Sequence, residues 1–153
     1  MAFPTNTITT SYIMTIHVPL EAPKTVSSEL TVHNCRPGGW VKGPGIHGTV
    51  VAPTADWLRV MPNGAQRLDV RLTILADDDS YIFMSYLGRI VSAEQRALRP
   101  RPGRTAPIDR YFITNPVFET DSRKYGWLND LVTVGKIVPS PDMEVTYDIF
   151  AID

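Results

Sequence analysis

The stretch RLDVRLTIL (Arg67–Leu75) constrains the rest of the chain. Leu68, Val70, Leu72 and Ile74 fall on one side of an extended backbone, and Arg67, Asp69, Arg71 and Thr73 on the other. That two-residue period belongs to a strand with one buried face. Such a strand needs hydrogen-bonding partners along both edges and an apolar layer against it. The sequence supplies them by repetition. ADDDS (Ala76–Ser80) turns the chain and YIFMSYLGRIV (Tyr81–Val91) returns it as the second arm of a hairpin. SYIMTIHV (Ser11–Val18), ELTVHNC (Glu29–Cys35), DRYFIT (Asp109–Thr114), DLVTVGKIV (Asp130–Val138) and MEVTYDIFAI (Met143–Ile152) read as further strands. HGTVVA (His47–Ala52) and DWLRVM (Asp56–Met61) are two shorter β-rich runs, the second ended by the turn residues Pro62–Gly64. No helix is long enough to cover both faces of a sheet. The pattern therefore predicts an all-β fold, an antiparallel barrel of about eight strands, because closure removes exposed edges. A barrel of that size can hold one small ligand in an internal cavity.

At 153 residues the chain is expected to form a single domain, residues 1–153. Its formal net charge of −1 gives no basis for electrostatic capture of nucleic acid or an anionic membrane. Cys35 is the sole cysteine, so an intramolecular disulfide is impossible and a reducing compartment is expected. MAFPTNTITTSY lacks the basic and apolar regions of a secretory signal, and no apolar run approaches the ~18 residues of a membrane span. The expectation is a soluble, cytoplasmic protein.

Two segments depart from strand patterning. RALRPRPGRTAP (Arg96–Pro107) reads as an exposed Arg- and Pro-rich excursion. ITNPVFETDSRKYGWLND (Ile113–Asp130) reads as a strand end followed by a lid or plug. Asn115-Pro116 is expected to stop the strand, because the residue before proline is pushed away from helical geometry and proline cannot donate to a ladder. Its apolar residues are numerous enough to pack over one end of a barrel, with a short helical turn near Trp127.

GGWVKGPGIHGTV (Gly39–Val50), ADWLRVMPNGAQRLDVRLTILADDDSYIF (Ala55–Phe83), YFITNPVFET (Tyr111–Thr120) and YGWLND (Tyr125–Asp130), in this order and spacing, resemble the DUF3237 family, also called UPF0311. The resemblance runs from about Gly38 to the C-terminus and implies a compact β-barrel with an internal cavity. It implies little about chemistry, since the family's function is poorly defined. The chain departs from the family pattern at Pro53–Ala55, where a Gly-rich turn is usual, at Ala76–Ser80, and at Ile113, where many members carry Arg.

The sequence has no dinucleotide fingerprint, phosphate loop or paired C-x-x-C, so no cofactor and no metal are expected. The glycines of GGWVKGPGIHG are assigned to turns and bulges of a curved sheet. His33, with an ordinary pKa near 6.5, is a candidate proton carrier if the Thr31/His33/Cys35 face points into the lumen; otherwise it is a structural histidine. Cys35 reads as a packing thiol. Asp69 and Arg71 either line the lumen, where Arg71 would orient an oxygen of the substrate, or form an exterior ion pair. Glu119 is a second acid/base candidate if the plug brings it inward. Trp40, Tyr86, Tyr111 and Trp127 are candidate substrate-binding aromatics, and Lys136 is either a cavity lysine or an edge lysine that discourages aggregation.

These groups suit a cofactor-independent isomerase or cyclase acting on a small aromatic molecule. A concrete version is intramolecular oxa-Michael closure of a phenolic enone, of the chalcone-isomerase type. Catalytic roles then fall to His33, Arg71 and Glu119, and substrate contacts to Trp40, Asp69, Tyr86, Tyr111, Trp127 and Lys136. Two other readings stand beside it: a non-catalytic barrel that binds an apolar molecule, and a structural module that forms homo-oligomers through strand edges.

Overall fold

The computed structural model describes residues 6–105 and 109–153. The described residues form ten strands: β1 (Thr10–Pro19), β2 (Lys24–Ser27), β3 (Leu30–Asn34), β4 (Trp40–Gly43), β5 (Ile46–Val60), β6 (Gln66–Ala76), β7 (Tyr81–Val91), β8 (Tyr111–Glu119), β9 (Thr133–Val138) and β10 (Glu144–Ile152). A short helix α1 (Ala93–Leu98) and a 3-10 turn (Gly126–Asp130) complete it. The sheet order is β2-β3-β5-β4-β1-β10-β9-β8-β7-β6, and pairing of β5 with β6 closes the part from β5 to β6 into a ring. β4 through β10 and β1 thus make a closed eight-stranded antiparallel barrel, as the alternation predicts. The β2–β3 hairpin is added to it: β4 covers one edge of β5 from Ile46 to Thr49, and β3 covers the same edge from Ala55 to Arg59.

The two β-rich runs on either side of Pro53 are one strand. β5 faces β6 in two registers, Val51 opposite Thr73 and then Ala55 opposite Arg71. Ala52, Pro53 and Thr54 therefore stand against Leu72 alone, an insertion of two residues. Side chains take over from the missing ladder bonds. The Thr54 hydroxyl donates to the Val51 carbonyl (2.8 Å) and accepts from the Thr73 amide (3.1 Å), while the Thr73 hydroxyl donates to the Pro53 carbonyl (2.8 Å).

The expected stop at Asn115-Pro116 does not occur. β8 runs through to Glu119, with Pro116 opposite Tyr86. On its β9 side the ladder ends at Thr114, so the amide hydrogen that proline lacks is not needed there. Asn115 Nδ2 donates to the Thr133 carbonyl (2.8 Å), and the Thr133 hydroxyl donates to the Pro116 carbonyl (2.6 Å). α1 begins before the Arg-rich excursion (Arg96–Pro107, of which Ala106 and Pro107 lie outside the described residues) and overlaps its first three residues, starting in a reciprocal capping box between Ser92 and Gln95. Among the glycines, Gly43 is required by close approach: a Cβ there would overlap the Ile13 carbonyl.

The segment after β8 is a plug, built around Tyr125 and Leu128, both fully buried. Thr120 and Asn129 pair like two peptide groups: the Thr120 amide donates to Asn129 Oδ1 and Asn129 Nδ2 to the Thr120 carbonyl, both at 2.8 Å. The ADDDS turn holds the plug in place. The Tyr125 hydroxyl and Lys124 bond to Asp77, and the Ser122 hydroxyl donates to Asp78 (2.6 Å). These hydrogen bonds, from Tyr125 first for Asp77 and from Ser122 first for Asp78, hold both carboxyls below their ordinary range. Depressed carboxyls stabilise the fold above the range of an unfolded aspartate, near 4, and that contribution is lost as the pH falls through their lower folded values. The plug covers the end of the barrel beyond Ala76. Asn129→Ala removes both bonds to Thr120 and is expected to cost roughly 1–2 kcal/mol of stability in urea unfolding. Hydrogen exchange should then rise at Tyr125–Leu128 and stay unchanged around Tyr86.

Candidate functional site

At the end of the barrel opposite the plug, the core opens into a pocket of about 130 Å³. Its walls are mostly aliphatic and aromatic, including Leu58, Leu68, Val70, Ile90 and Phe112. Into this surface the fold places one row of inward side chains. His33 on β3 lies directly opposite Asp56 on β5, Asp56 opposite Val70 on β6, and Val70 opposite Tyr86 on β7. Directly opposed residues on antiparallel strands share a face with Cβ atoms about 5 Å apart. Tyr147 from β10 closes the set, edge-on to Tyr86 at 5.6 Å between ring centroids and to Phe112 at 5.8 Å.

Each polar group in the row is altered by its surroundings. Burial pushes the Asp56 carboxyl up to about 6. The bond it accepts from the Asp69 amide (3.1 Å) opposes that shift, and the negative charge of Asp69 adds to it. Burial lowers the His33 pKa, so the neutral imidazole dominates at neutral pH. Its Nδ1 is buried without a hydrogen-bond partner, and Nε2 lies 3.5 Å from the Thr31 hydroxyl. Burial raises Tyr86 and Tyr147, which remain protonated donors. Cys35 also lines the pocket, with a thiol pushed up by burial rather than activated. The pocket thus combines a carboxylate able to exchange a proton near neutral pH, a neutral imidazole and two phenol donors.

Of the catalytic and substrate-binding candidates drawn from the sequence, His33 and Tyr86 line this pocket and the others do not. Arg71 is exposed on the outer face of β6, between inward Val70 and Leu72, which corrects the reading that places it in the lumen. Asp69 alternates outward in the same way, opposite exposed Leu87, and only its amide reaches the site. Glu119 is exposed at the plugged end, the far end from the pocket, because β8 continues past Pro116 and carries it there. Trp127 is 39% exposed on the plug. Trp40 stacks on His17 (5.3 Å) beneath Lys42, on the outside of β4. Tyr111 lies under Arg96 in a surface groove that also holds Arg99, Arg101 and Arg104. Lys136 is exposed on β9 with ladder partners on both sides, Asp148 on β10 and Ile113 on β8, so it is neither a cavity lysine nor an edge lysine. Among the described residues, no group of three His, Cys, Asp or Glu could hold a metal ion, and no helix is long and apolar enough to cross a membrane.

Asp56 was missed by sequence reasoning, although it opens the DWLRVM run. The available signal was its place in a strand: Asp56 shares parity with Leu58, so a carboxylate falls on the apolar face. Its charge has a stability consequence of opposite sign to that of Asp77 and Asp78. The folded protein holds this proton more tightly than an unfolded carboxyl does. The unfavourable contribution therefore starts as pH rises past about 4 and is complete above the folded value near 6. Asp56→Asn, which can still accept the Asp69 amide, is expected to raise stability by roughly 2–3 kcal/mol at pH 8. The gain should vanish below about pH 4, read by urea unfolding at both pH values.

Comparison with known proteins places this geometry. The chain is 31% identical over 111 residues, 71% of each chain, to the UPF0311 protein RPA1785 of Rhodopseudomonas palustris. The crystal structure of RPA1785, a conserved protein of unknown function, superposes with a TM-score of 0.80 at 27% identity, covering 97% of this chain and all of that one. A crystal structure of an enzyme from Penicillium herquei shares the fold, with a TM-score of 0.68 at 16% identity and full coverage of both chains. The model for "Protein of unknown function (DUF3237)" matches residues 8–152, and the chain belongs to that family.

Proposed function

We propose that this protein is a cofactor-independent isomerase or cyclase acting on a small aromatic molecule. The observation that carries the reading is Asp56, a carboxyl pushed up to about 6 inside an otherwise apolar pocket, with the unpartnered Nδ1 of His33 on the strand beside it. A base works best when its pKa lies near the operating pH, since it can then both accept and return a proton. Support of a weaker kind comes from the fold shared with the Penicillium herquei enzyme.

The concrete reaction is ring closure of a phenolic enone. Asp56 takes the phenol proton as the phenol oxygen adds to the β-carbon of the enone. The electron pair of the C=C bond moves toward the carbonyl, and the resulting enolate oxygen accepts a hydrogen bond from Tyr86 or Tyr147. In a dry pocket a fixed neutral donor of this kind stabilises developing charge strongly. Protonated Asp56 then returns its proton to the α-carbon, so the product is an isomer of the substrate and nothing else is consumed. His33 holds the substrate's phenol through its free ring nitrogen or relays the proton.

The test is to incubate purified protein with 2′-hydroxychalcone and related phenolic enones and to follow cyclisation against buffer. Asp56→Asn is expected to lower kcat by roughly 10²–10⁴. For the unaltered protein, kcat/KM should rise with pH through an apparent pKa near 6, as Asp56 ionises. Cyclisation no faster than buffer, or full activity in Asp56→Asn, would overturn the reading. Native mass spectrometry that finds a tightly held and chemically unchanged molecule would favour a carrier instead.

A further inference from the structure

The pocket holds one ring and little more. A cavity of about 150 Å³ takes one benzene ring, and this pocket measures about 130 Å³. Whatever else a ligand carries must stand at the mouth. Leu20, Leu58, Ile90 and Val145 line the pocket and are only partly buried, so they form its rim. All four are apolar. A charged side chain reaches the same aromatic wall from outside. Arg110 stands two residues before Phe112 and on the same side of the chain, just ahead of the first residue of β8. Its guanidinium lies over the Phe112 ring at 5.2 Å. Phe112 meets Tyr147 at 5.8 Å and Tyr147 meets Tyr86 at 5.6 Å, and these three rings line the pocket.

Arg110 is exposed, and its charge is not taken up by a neighbour. Among the described residues it makes no ion pair. Asp109, the carboxylate beside it in the chain, is held by Arg96 at 3.1 Å. The charge of Arg110 is felt inside the barrel. Burial is the main cause that raises Tyr147; the Tyr86 hydroxyl opposes it, the charge of Asp56 adds to it, and the charge of Arg110 opposes it. The raised Tyr86 owes, after burial, to Tyr147 and Asp56. The pocket thus has a negative pole at Asp56 on β5 and a positive one at Arg110 ahead of β8. Tyr147 is the phenol donor that answers to both.

We propose that Tyr147 and Arg110 form an oxyanion site at the mouth of the pocket, and that the ligand places one aromatic ring in the pocket and presents an acidic oxygen to this pair. The ring packs against Phe112. The oxygen accepts a hydrogen bond from Tyr147 and pairs with the Arg110 guanidinium, a planar fork of donors that stays charged at every working pH. Packing on Phe112 holds the guanidinium near its working position before a ligand arrives, which lowers the cost of ordering it. In the ring closure described above, on which this assignment rests, that oxygen is the enolate oxygen, and Tyr147 rather than Tyr86 is its donor. The enone carries no charge there. Charge develops as the phenol oxygen adds, so the site favours the transition state over the substrate. Stable molecules that imitate the enolate are aromatic carboxylates.

Calorimetry with benzoate and benzamide tests the site, since the two share a shape and differ in charge. Asp56→Asn is the background, because it removes the negative pole. In it, benzoate is expected to bind about tenfold or more tighter than benzamide. Adding Arg110→Gln should abolish that preference, and Arg110→Lys, which keeps the charge, should retain part of it. With Asp56 in place, Arg110→Gln is expected to lower kcat for 2′-hydroxychalcone by about tenfold or more and to change KM by less than about twofold, because the neutral enone gains little from the cation. A preference for benzoate that survives Arg110→Gln, or no preference at all, overturns the oxyanion site. So does a raised KM with kcat intact. In each of these cases the pocket reading still stands if the unaltered protein cyclises the chalcone and Asp56→Asn does not. If benzoate is preferred through Arg110 and the chalcone is not cyclised, the anion-binding site stands, and the ring closure falls together with the enolate role.

Discussion

The pairing of β5 with β6 is the constraint on which the rest of the molecule depends. It closes the barrel, and so removes the two edges that an eight-stranded sheet would otherwise expose. It also fixes which side chains of β5 face inward. Val50 before the insertion and Asp56 after it both point to the interior, because two added residues preserve the alternation of a strand. The same strand offers β3 an edge to pair with, and this pairing brings His33 beside Asp56. Closure, the carboxylate and the imidazole are therefore consequences of one strand and its register.

The two ends of the barrel have been given different work. At one end Tyr125 and Leu128 fill the interior, and Asp77 and Asp78 fasten the plug through hydroxyl and ammonium groups. At the other end the core stops short and leaves a pocket whose carboxylate is held at an electrostatic disadvantage. Packing at the plugged end supplies stability that lets the open end retain a poorly solvated charge. Sites of this kind commonly carry strain or desolvation that the rest of the fold must offset.

The fold was legible in the alternation of β6, β7 and β10, where one buried face and one wet face leave a clear two-residue period. It was less legible where side chains replace backbone bonds. Asn115-Pro116 looked like a stop because the bonds that carry the strand through it, from Asn115 to the Thr133 carbonyl and from the Thr133 hydroxyl to the Pro116 carbonyl, depend on a residue distant in sequence. The short strands β2 and β4 carry too few residues to show a period, and α1 was hidden in an Arg-rich stretch although Ser92 and Gln95 spell its capping box. For the site, His33 and Tyr86 could be found because a polar or aromatic side chain on a strand has only two directions to choose between. Arg71 and Asp69 were placed on the wrong side of the same choice, although their strand already had its apolar face filled by Leu68, Val70 and Leu72. Asp56 was overlooked because Pro53 made one strand look like two.

The insertion at Ala52–Thr54 has a consequence for how such a chain can vary. Adding or removing one residue there would rotate every later side chain of β5 by half a period, turning Asp56 to solvent and Trp57 to the core. Adding or removing two would leave both where they are and change only the width of the gap opposite Leu72. Length at this place is thus a stepped control. It can change the bulge opposite Leu72 by even increments while Asp56 keeps its place on the interior face. The segment Pro53–Ala55, which departs from the Gly-rich turn usual in this family, is where the length of this strand can change without reversing the faces of its interior side chains.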